Sequence, residues 1–211
     1  NGSEELIMLL LLAYAGPGAE VVHTRFGYLL FKTAARIMGA VPVAAEEPDL
    51  RVNVDALLAA VTPRTRALFL ANPNNPTGFR LPPDEIERLR QGLRDDILLV
   101  LDGAYVEYVD EPHEPGFRLV DAADNTVVLR TFSKIHGLAG LRVGWCYGPA
   151  GVADALHRVR PPSNLSGPAM LVAAAALADT GHVDALRRQN VVQRERLADA
   201  LRRRGFSPYP S

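Results

Sequence analysis

Apolar residues along the chain fall into short continuous runs separated by amphipathic stretches. The runs at residues 21–23, 41–44, 67–70, 97–101 and 126–129 read as strands. The run 97–101 has no polar interruption, as expected for a strand covered on both faces. Between them lie helical patterns. Residues 6–15 form the most apolar stretch, which reads as a buried helix ended by Gly16-Pro17-Gly18. Further helices are predicted from Phe31 to Ile37, over 55–60, from Pro83 to Gln91, over 152–158, over 170–178 and over 183–204, with the last break near Thr180-Gly181. Strand–helix–strand alternation predicts an α/β fold: a doubly wound, mostly parallel sheet with helices on both faces. The strands end near residue 129, so residues 1–165 are expected to form one large domain. Residues 166–211 are expected to form an interdomain helix and the beginning of a small second domain.

Composition narrows the function classes. The 211 residues are 48% hydrophobic, enough to bury an α/β core, and the formal net charge is -1. A near-neutral chain has no global attraction for nucleic acid or for an anionic membrane surface. The apolar stretch 6–15 is too short to span a bilayer, and it follows Glu4 and Glu5 where a signal peptide would be basic. The single cysteine, Cys146, excludes an internal disulfide and suits a reducing, cytoplasmic setting.

The chemistry gathers where predicted strands end and helices begin. Asn1-Gly2-Ser3-Glu4-Glu5 is a helix entrance, with Ser3 available as cap and the acids in the first turn. Free N–H groups at such an entrance also bind anions. Phe26-Gly27-Tyr28 follows a strand; its aromatics serve as core or as a shelf for a flat ligand. Asn72-Pro73-Asn74-Asn75-Pro76-Thr77-Gly78 is a rigid loop that presents asparagine amides. Asp102 closes a buried strand, three residues before Tyr105. A carboxylate there either caps the next turn or needs a cationic partner. Thr131, Ser133 and Lys134 follow the last predicted strand, with Arg142 close behind. Partial desolvation beside a second cation would free the Lys134 amine as a nucleophile; otherwise it is a surface lysine. Together these residues would offer an anion cradle, an aromatic shelf, an amide, a carboxylate, a phenol and an amine, a set suited to a phosphorylated, flat, cationic aldehyde.

Four motifs occur in a telling order: Asn1-Gly2-Ser3-Glu4-Glu5, the 72–78 loop, Leu101-Asp102-Gly103-Ala104-Tyr105, and Ser133-Lys134 followed by Gly137-Leu138-Ala139-Gly140-Leu141-Arg142 and Gly144. With them the chain resembles the fold type I pyridoxal-phosphate aminotransferases over nearly its whole length, and among them the histidinol-phosphate aminotransferases. The resemblance implies pyridoxal 5'-phosphate as cofactor, held by Lys134 as a Schiff base. Lys134, once released, would move the proton at the substrate Cα. Asp102 would pair with the pyridine nitrogen, Asn75 and Tyr105 with the phenolic oxygen, and Tyr28 would stack on the ring. Gly2, Ser3 and Glu4 would cradle the phosphate through backbone N–H groups, completed by Thr131, Ser133 and Arg142. Asn164 matches a segment near the substrate. The implied reaction is transamination from glutamate to imidazole-acetol phosphate, in a homodimer with shared sites.

Two departures qualify the resemblance. Gly103 stands where many relatives carry glutamate. The arginine that the family uses for the donor carboxylate, and the arm that reaches into the partner, correspond to positions outside the chain, which is therefore expected to be a fragment. The same motifs also suit an aromatic or broad-specificity aminotransferase and threonine-phosphate decarboxylase. Another class with this domain, the sensor module of a transcription regulator, would need a DNA-binding segment that these residues do not contain.

Overall fold

The computed structural model describes residues 1–109 and 116–210. Six strands form one sheet in the order β2-β1-β3-β4-β5-β6. They are β1 (Glu20–Thr24), β2 (Val41–Ala45), β3 (Thr65–Ala71), β4 (Leu98–Asp102), β5 (Thr126–Thr131) and β6 (Gly144–Tyr147). The first five run parallel, whereas β6 pairs antiparallel with β5, with Thr131 opposite Gly144. Strand order reverses between β2 and β3 on either side of β1, which opens a crevice at the carboxyl ends of the strands.

The continuous apolar runs of the inner strands have a simple cause: β1, β3, β4 and β5 bury both of their faces. Along β3, Ala67, Phe69 and Ala71 belong to one core cluster, and Leu68 and Leu70 to the other. Strand β4 divides the same way, with Leu98 and Val100 on one side and Leu99 and Leu101 on the other. Helices α1 (Gly2–Tyr14), α2 (Leu29–Ile37) and α6 (Ala150–Val159) cover the first face. Ile7, Leu10 and Leu11 of α1 are fully buried there. Helices α3 (Val54–Ala59), α4 (Pro83–Gly92) and α5 (Phe117–Ala122) cover the second face.

The last two helices are α7 (Gly167–Ala178) and α8 (Thr180–Arg202), bent by 72° about Asp179. Asp179 caps α8 by accepting the His182 N–H at 3.0 Å, so Thr180 and Gly181 already belong to the helix rather than to the break. Ala169 and Ala173 of α7 pack on Phe132 and Val143 beside the sheet, whereas α8 buries no residue. Among the described residues no single helix is long and apolar enough to cross a membrane.

Two elements escape the sequence pattern. Strand β6 is four residues long at the sheet edge and none of it is fully buried, so its apolar run is too short and too half-hidden to read. Helix α5 is six residues long and buries only Val120, which leaves no periodic stripe.

Candidate active site

The functional cleft lies at the carboxyl ends of β3, β4 and β5, against the start of α1. Asp102 is the last residue of β4 and is 4% exposed. Its Oδ1 accepts the Ala104 N–H at 3.1 Å, and its neighbours in register are Ala71 of β3 and Leu129 of β5. Burial pushes this carboxyl up to about 6, against a partial pull downward from the Ala104 N–H and the charge of Lys134. A carboxylate so placed lacks a cation close enough to offset its desolvation.

The 72–78 loop follows β3, and its three asparagines divide the work. Asn72 accepts the Leu81 N–H at 2.8 Å and donates to the Leu81 carbonyl at 3.1 Å, which ties the two ends of the loop together. Asn74 donates to the Phe26 carbonyl at 3.2 Å and to Thr77 Oγ1 at 2.8 Å. Only Asn75 offers its amide to the cleft, where Nδ2 donates to the Tyr105 hydroxyl at 3.4 Å. Asn72 and Asn74 are buried: Asn72 satisfies backbone groups at the end of the loop, and Asn74 ties the loop to Phe26.

Strand β5 delivers Thr131, Ser133 and Lys134. Thr131 Oγ1 donates to Ser133 Oγ at 3.0 Å and accepts the Ser133 N–H at 3.1 Å, a hydroxyl turn that redirects the chain. Lys134 points out over Tyr105, with Nζ 5.3 Å from the ring centroid. It is exposed, contrary to the desolvation expected from its apolar flanks. Those flanks, Phe132 and Ile135, turn into the core while the lysine turns away from it.

The glycine-spaced run then folds back. Arg142 adopts a left-handed backbone (φ 55°) and sends its guanidinium toward α1. Its Nη1 reaches Ser133 Oγ at 3.4 Å and the Ala139 carbonyl at 3.1 Å, and its Nη2 reaches Glu4 Oε2 at 3.0 Å. Gly2 has a left-handed backbone (φ 75°) that favours glycine, and a Cβ there would stand 2.8 Å from Arg142 Nη2, so the guanidinium would have to shift. Ser3 does not cap the helix as its sequence position suggests. The helix begins at Gly2, Asn1 occupies the cap position without a side-chain capping bond, and Ser3 is buried in the first turn facing the cleft. Tyr28 closes the other wall: its hydroxyl donates to Glu4 Oε1 at 2.8 Å, and its ring meets Phe31 edge-on. Burial first, then the Glu4 carboxylate, raise the Tyr28 phenol well above its ordinary value, so it stays a donor.

The structure therefore brings Gly2, Ser3, Glu4, Tyr28, Asn75, Asp102, Tyr105, Thr131, Ser133, Lys134 and Arg142 to one crevice. Asn164 stands apart from it, donating to Glu5 Oε2 at 3.0 Å and accepting from Arg160 at 3.3 Å. Among the described residues no group of histidine, cysteine and acidic side chains could hold a metal ion.

Residues unseen in the sequence support these. Glu47 is 4% exposed and accepts the Phe26 N–H, so with Asn74, which donates to the Phe26 carbonyl, it holds both backbone polar groups of Phe26, two residues before Tyr28. Burial raises its carboxyl above the usual range. Arg130 pairs with Glu107 at 2.5 Å, both largely buried, and lies over Trp145. A Cβ on Gly103 would crowd Arg130 Cδ at 3.1 Å, so glycine leaves that side chain its room. None of these has a sequence signal, because each partner comes from a distant segment.

Gly144 joins the two halves of the site. A Cβ there would lie 2.4 Å from the Ser3 nitrogen and 2.7 Å from the Gly2 carbonyl carbon. Gly144→Ala is expected to force α1 off β6 and to lower stability by about 3 kcal/mol, the upper range for overpacking. Urea denaturation checks this; an unchanged midpoint would mean that the helix start yields freely.

The profile of the family described as aminotransferase class I and II matches residues 1–211. A histidinol-phosphate aminotransferase of Rhodopseudomonas palustris (strain BisB18) is 49% identical over 211 residues, 100% of this chain and 58% of that protein. One from Rhodospirillum rubrum is 55% identical over 195 residues, 92% of this chain and 53% of that protein. Among solved structures, histidinol-phosphate aminotransferase from Sinorhizobium meliloti in complex with pyridoxal-5'-phosphate superposes with a TM-score of 0.95 at 31% identity, covering 100% of this chain and 57% of that one. An aspartate aminotransferase of Thermus thermophilus with maleate gives 0.89 at 27%, covering 100% of this chain and 58% of that one. The chain thus spans a little over half the length of the curated relatives it matches. With the family profile matched from its first residue to its last, the chain belongs to the class I and II aminotransferases.

Proposed function

We propose that this chain is the cofactor-binding part of a pyridoxal-phosphate-dependent histidinol-phosphate aminotransferase, transferring the amino group of glutamate to imidazole-acetol phosphate. The observation that carries the reading is Asp102, a carboxyl sealed at the floor of the cleft and held protonated up to about pH 6 until a cation pairs with it. A protonated pyridine nitrogen is such a cation. The other donors fit the same molecule: Asn75 and Tyr105 suit a phenolic oxygen, Arg142 with Ser133 and the start of α1 suits a phosphate, and Lys134 suits an aldehyde. The name shared by relatives near 50% identical supports the substrate.

When bound, pyridoxal phosphate supplies an electron sink that stabilises negative charge on the substrate Cα. Asp102 would hold the proton on the ring nitrogen. Lys134 Nζ would attach the cofactor and, when free, would take up the proton at the substrate Cα. Tyr28 would cover one face of the ring and Arg142 would hold the phosphate. Residues 1–165 carry this chemistry, and 166–211 lead toward a small domain, in keeping with the bend at Asp179 and the unburied length of α8. A cytosolic homodimer completes the reading.

The test is the full-length enzyme with imidazole-acetol phosphate against phenylpyruvate. We expect kcat/KM to favour the imidazole substrate by at least about 100-fold, as a site built around polar groups discriminates. A preference for phenylpyruvate would transfer the protein to the aromatic aminotransferases and leave the cofactor site untouched.

A further inference from the structure

We propose that the side chain of Glu4 is a built-in counter-ion of the phosphate site, holding Arg142 and Tyr28 in one network and weakening the capture of phosphate there. The inference rests on the cofactor reading above and adds a role for the carboxylate that a backbone cradle does not require.

An acid in the first turn of a helix ordinarily answers the helix dipole or bonds back to the cap residue. Here Glu5 accepts from the Asn1 side-chain amide at 3.1 Å. Glu4 reaches across the cleft instead. One oxygen accepts from Tyr28 and the other from Arg142, residues that come from different segments and form opposite walls. Of the Arg142 partners, Asn1 and Ala139 offer carbonyls and Ser133 a hydroxyl, so Glu4 supplies the balancing negative charge. The glycine at residue 2 brings the helix start against the same guanidinium nitrogen.

Two consequences follow. The aromatic shelf and the arginine are linked before any ligand arrives, because one carboxylate accepts from both. A phosphate that binds Arg142 must then share it with a fixed negative charge a few ångströms away. Both charged groups are partly exposed, at 38% for Arg142 and 53% for Glu4, so solvent screens the repulsion to a moderate penalty. Exchange of the cofactor is made easier at the expense of affinity.

Calorimetric titration of the cofactor-free protein with inorganic phosphate tests this, using wild type, Glu4→Gln and Arg142→Gln. Glutamine keeps an acceptor for the Tyr28 hydroxyl but removes the charge. Glu4→Gln is expected to bind phosphate about tenfold more tightly at low salt, with the gain shrinking in 0.5 M KCl, the dependence that screened charges require. Its melting temperature is expected to stay near that of wild type, since a partly exposed ion pair contributes little to stability. Arg142→Gln is expected to lose phosphate binding. Equal or weaker phosphate binding by Glu4→Gln would overturn the counter-ion role. If pyridoxal phosphate still gave a coloured adduct with wild type, the cofactor reading would survive that result. If no variant bound phosphate and no adduct formed, both would fall together.

Discussion

Asp102→Asn is expected to stabilise the cofactor-free protein above pH 6 and to cripple the loaded enzyme. The ordinary aspartate value is 3.8 and burial lifts Asp102 to about 6. Below the lower value the side chain is protonated in both folded and unfolded chains, and burial adds no pH-dependent cost. As pH rises through that window the unfolded chain gives up the proton first, so stability falls until the folded carboxyl has ionised too. The difference of about two pKa units corresponds to roughly 3 kcal/mol lost by pH 8. Asparagine matches the shape, can still accept the Ala104 N–H and never ionises. Its advantage should therefore be near zero at pH 4 and about 3 kcal/mol at pH 8. Denaturant titrations at both values check this. With pyridoxal phosphate present the order should reverse, because the carboxylate then meets its cation. A variant equally stable at pH 4 and pH 8 relative to wild type would mean that Asp102 is already paired, and would remove the main support for the cofactor reading.

Lys134→Ala carries the second large effect. In the full-length enzyme we expect no covalent coloured adduct with pyridoxal phosphate and a fall in turnover on the order of 10^4, the range for losing a positioned proton carrier together with the nucleophile. The fold should be indifferent. Lys134 is exposed and its neighbours Phe132 and Ile135 provide the packing, so stability should change by less than about 0.5 kcal/mol. Visible absorbance, turnover and a melting curve on the same preparation separate the outcomes. An adduct that persists in the alanine variant would assign the attachment to another amine and overturn the proposed role of Lys134.

The supporting residues explain how so open a lysine can face so buried a carboxyl. The sheet sets Asp102 at the floor because β4 ends between β3 and β5, while the Thr131–Ser133 hydroxyl turn lifts the next residue out of the core. Lys134 is exposed, and Asp102 is buried. Glu47 and Asn74 hold the backbone N–H and carbonyl of Phe26, two residues before Tyr28.

Local rules were enough for much of this protein. Strands buried on both faces are mostly apolar, so β1, β3, β4 and β5 stood out as runs; β2 stood out by composition although it lies at the sheet edge with only Ala45 buried, and helices stood out by what separated them. Residues of reactive type sat near strand ends, so Asp102 and Lys134 could be singled out from position and type, and Arg142 as the cation close behind. Tertiary structure decided what depends on partners distant in the chain. Strand β6 exists because the 132–143 turn returns it antiparallel to β5, and four half-buried residues carry no pattern of their own. The asparagines of the 72–78 loop look alike in sequence, yet the fold spends two on the backbone and leaves one for the cleft. Ser3 reads as a cap but lies inside the turn, and Glu4 reads as a dipole partner but answers Arg142, 138 residues away. Burial, pairing and orientation are properties of the assembled chain, because desolvation and hydrogen bonding depend on neighbours in space and periodicity records only neighbours along the chain.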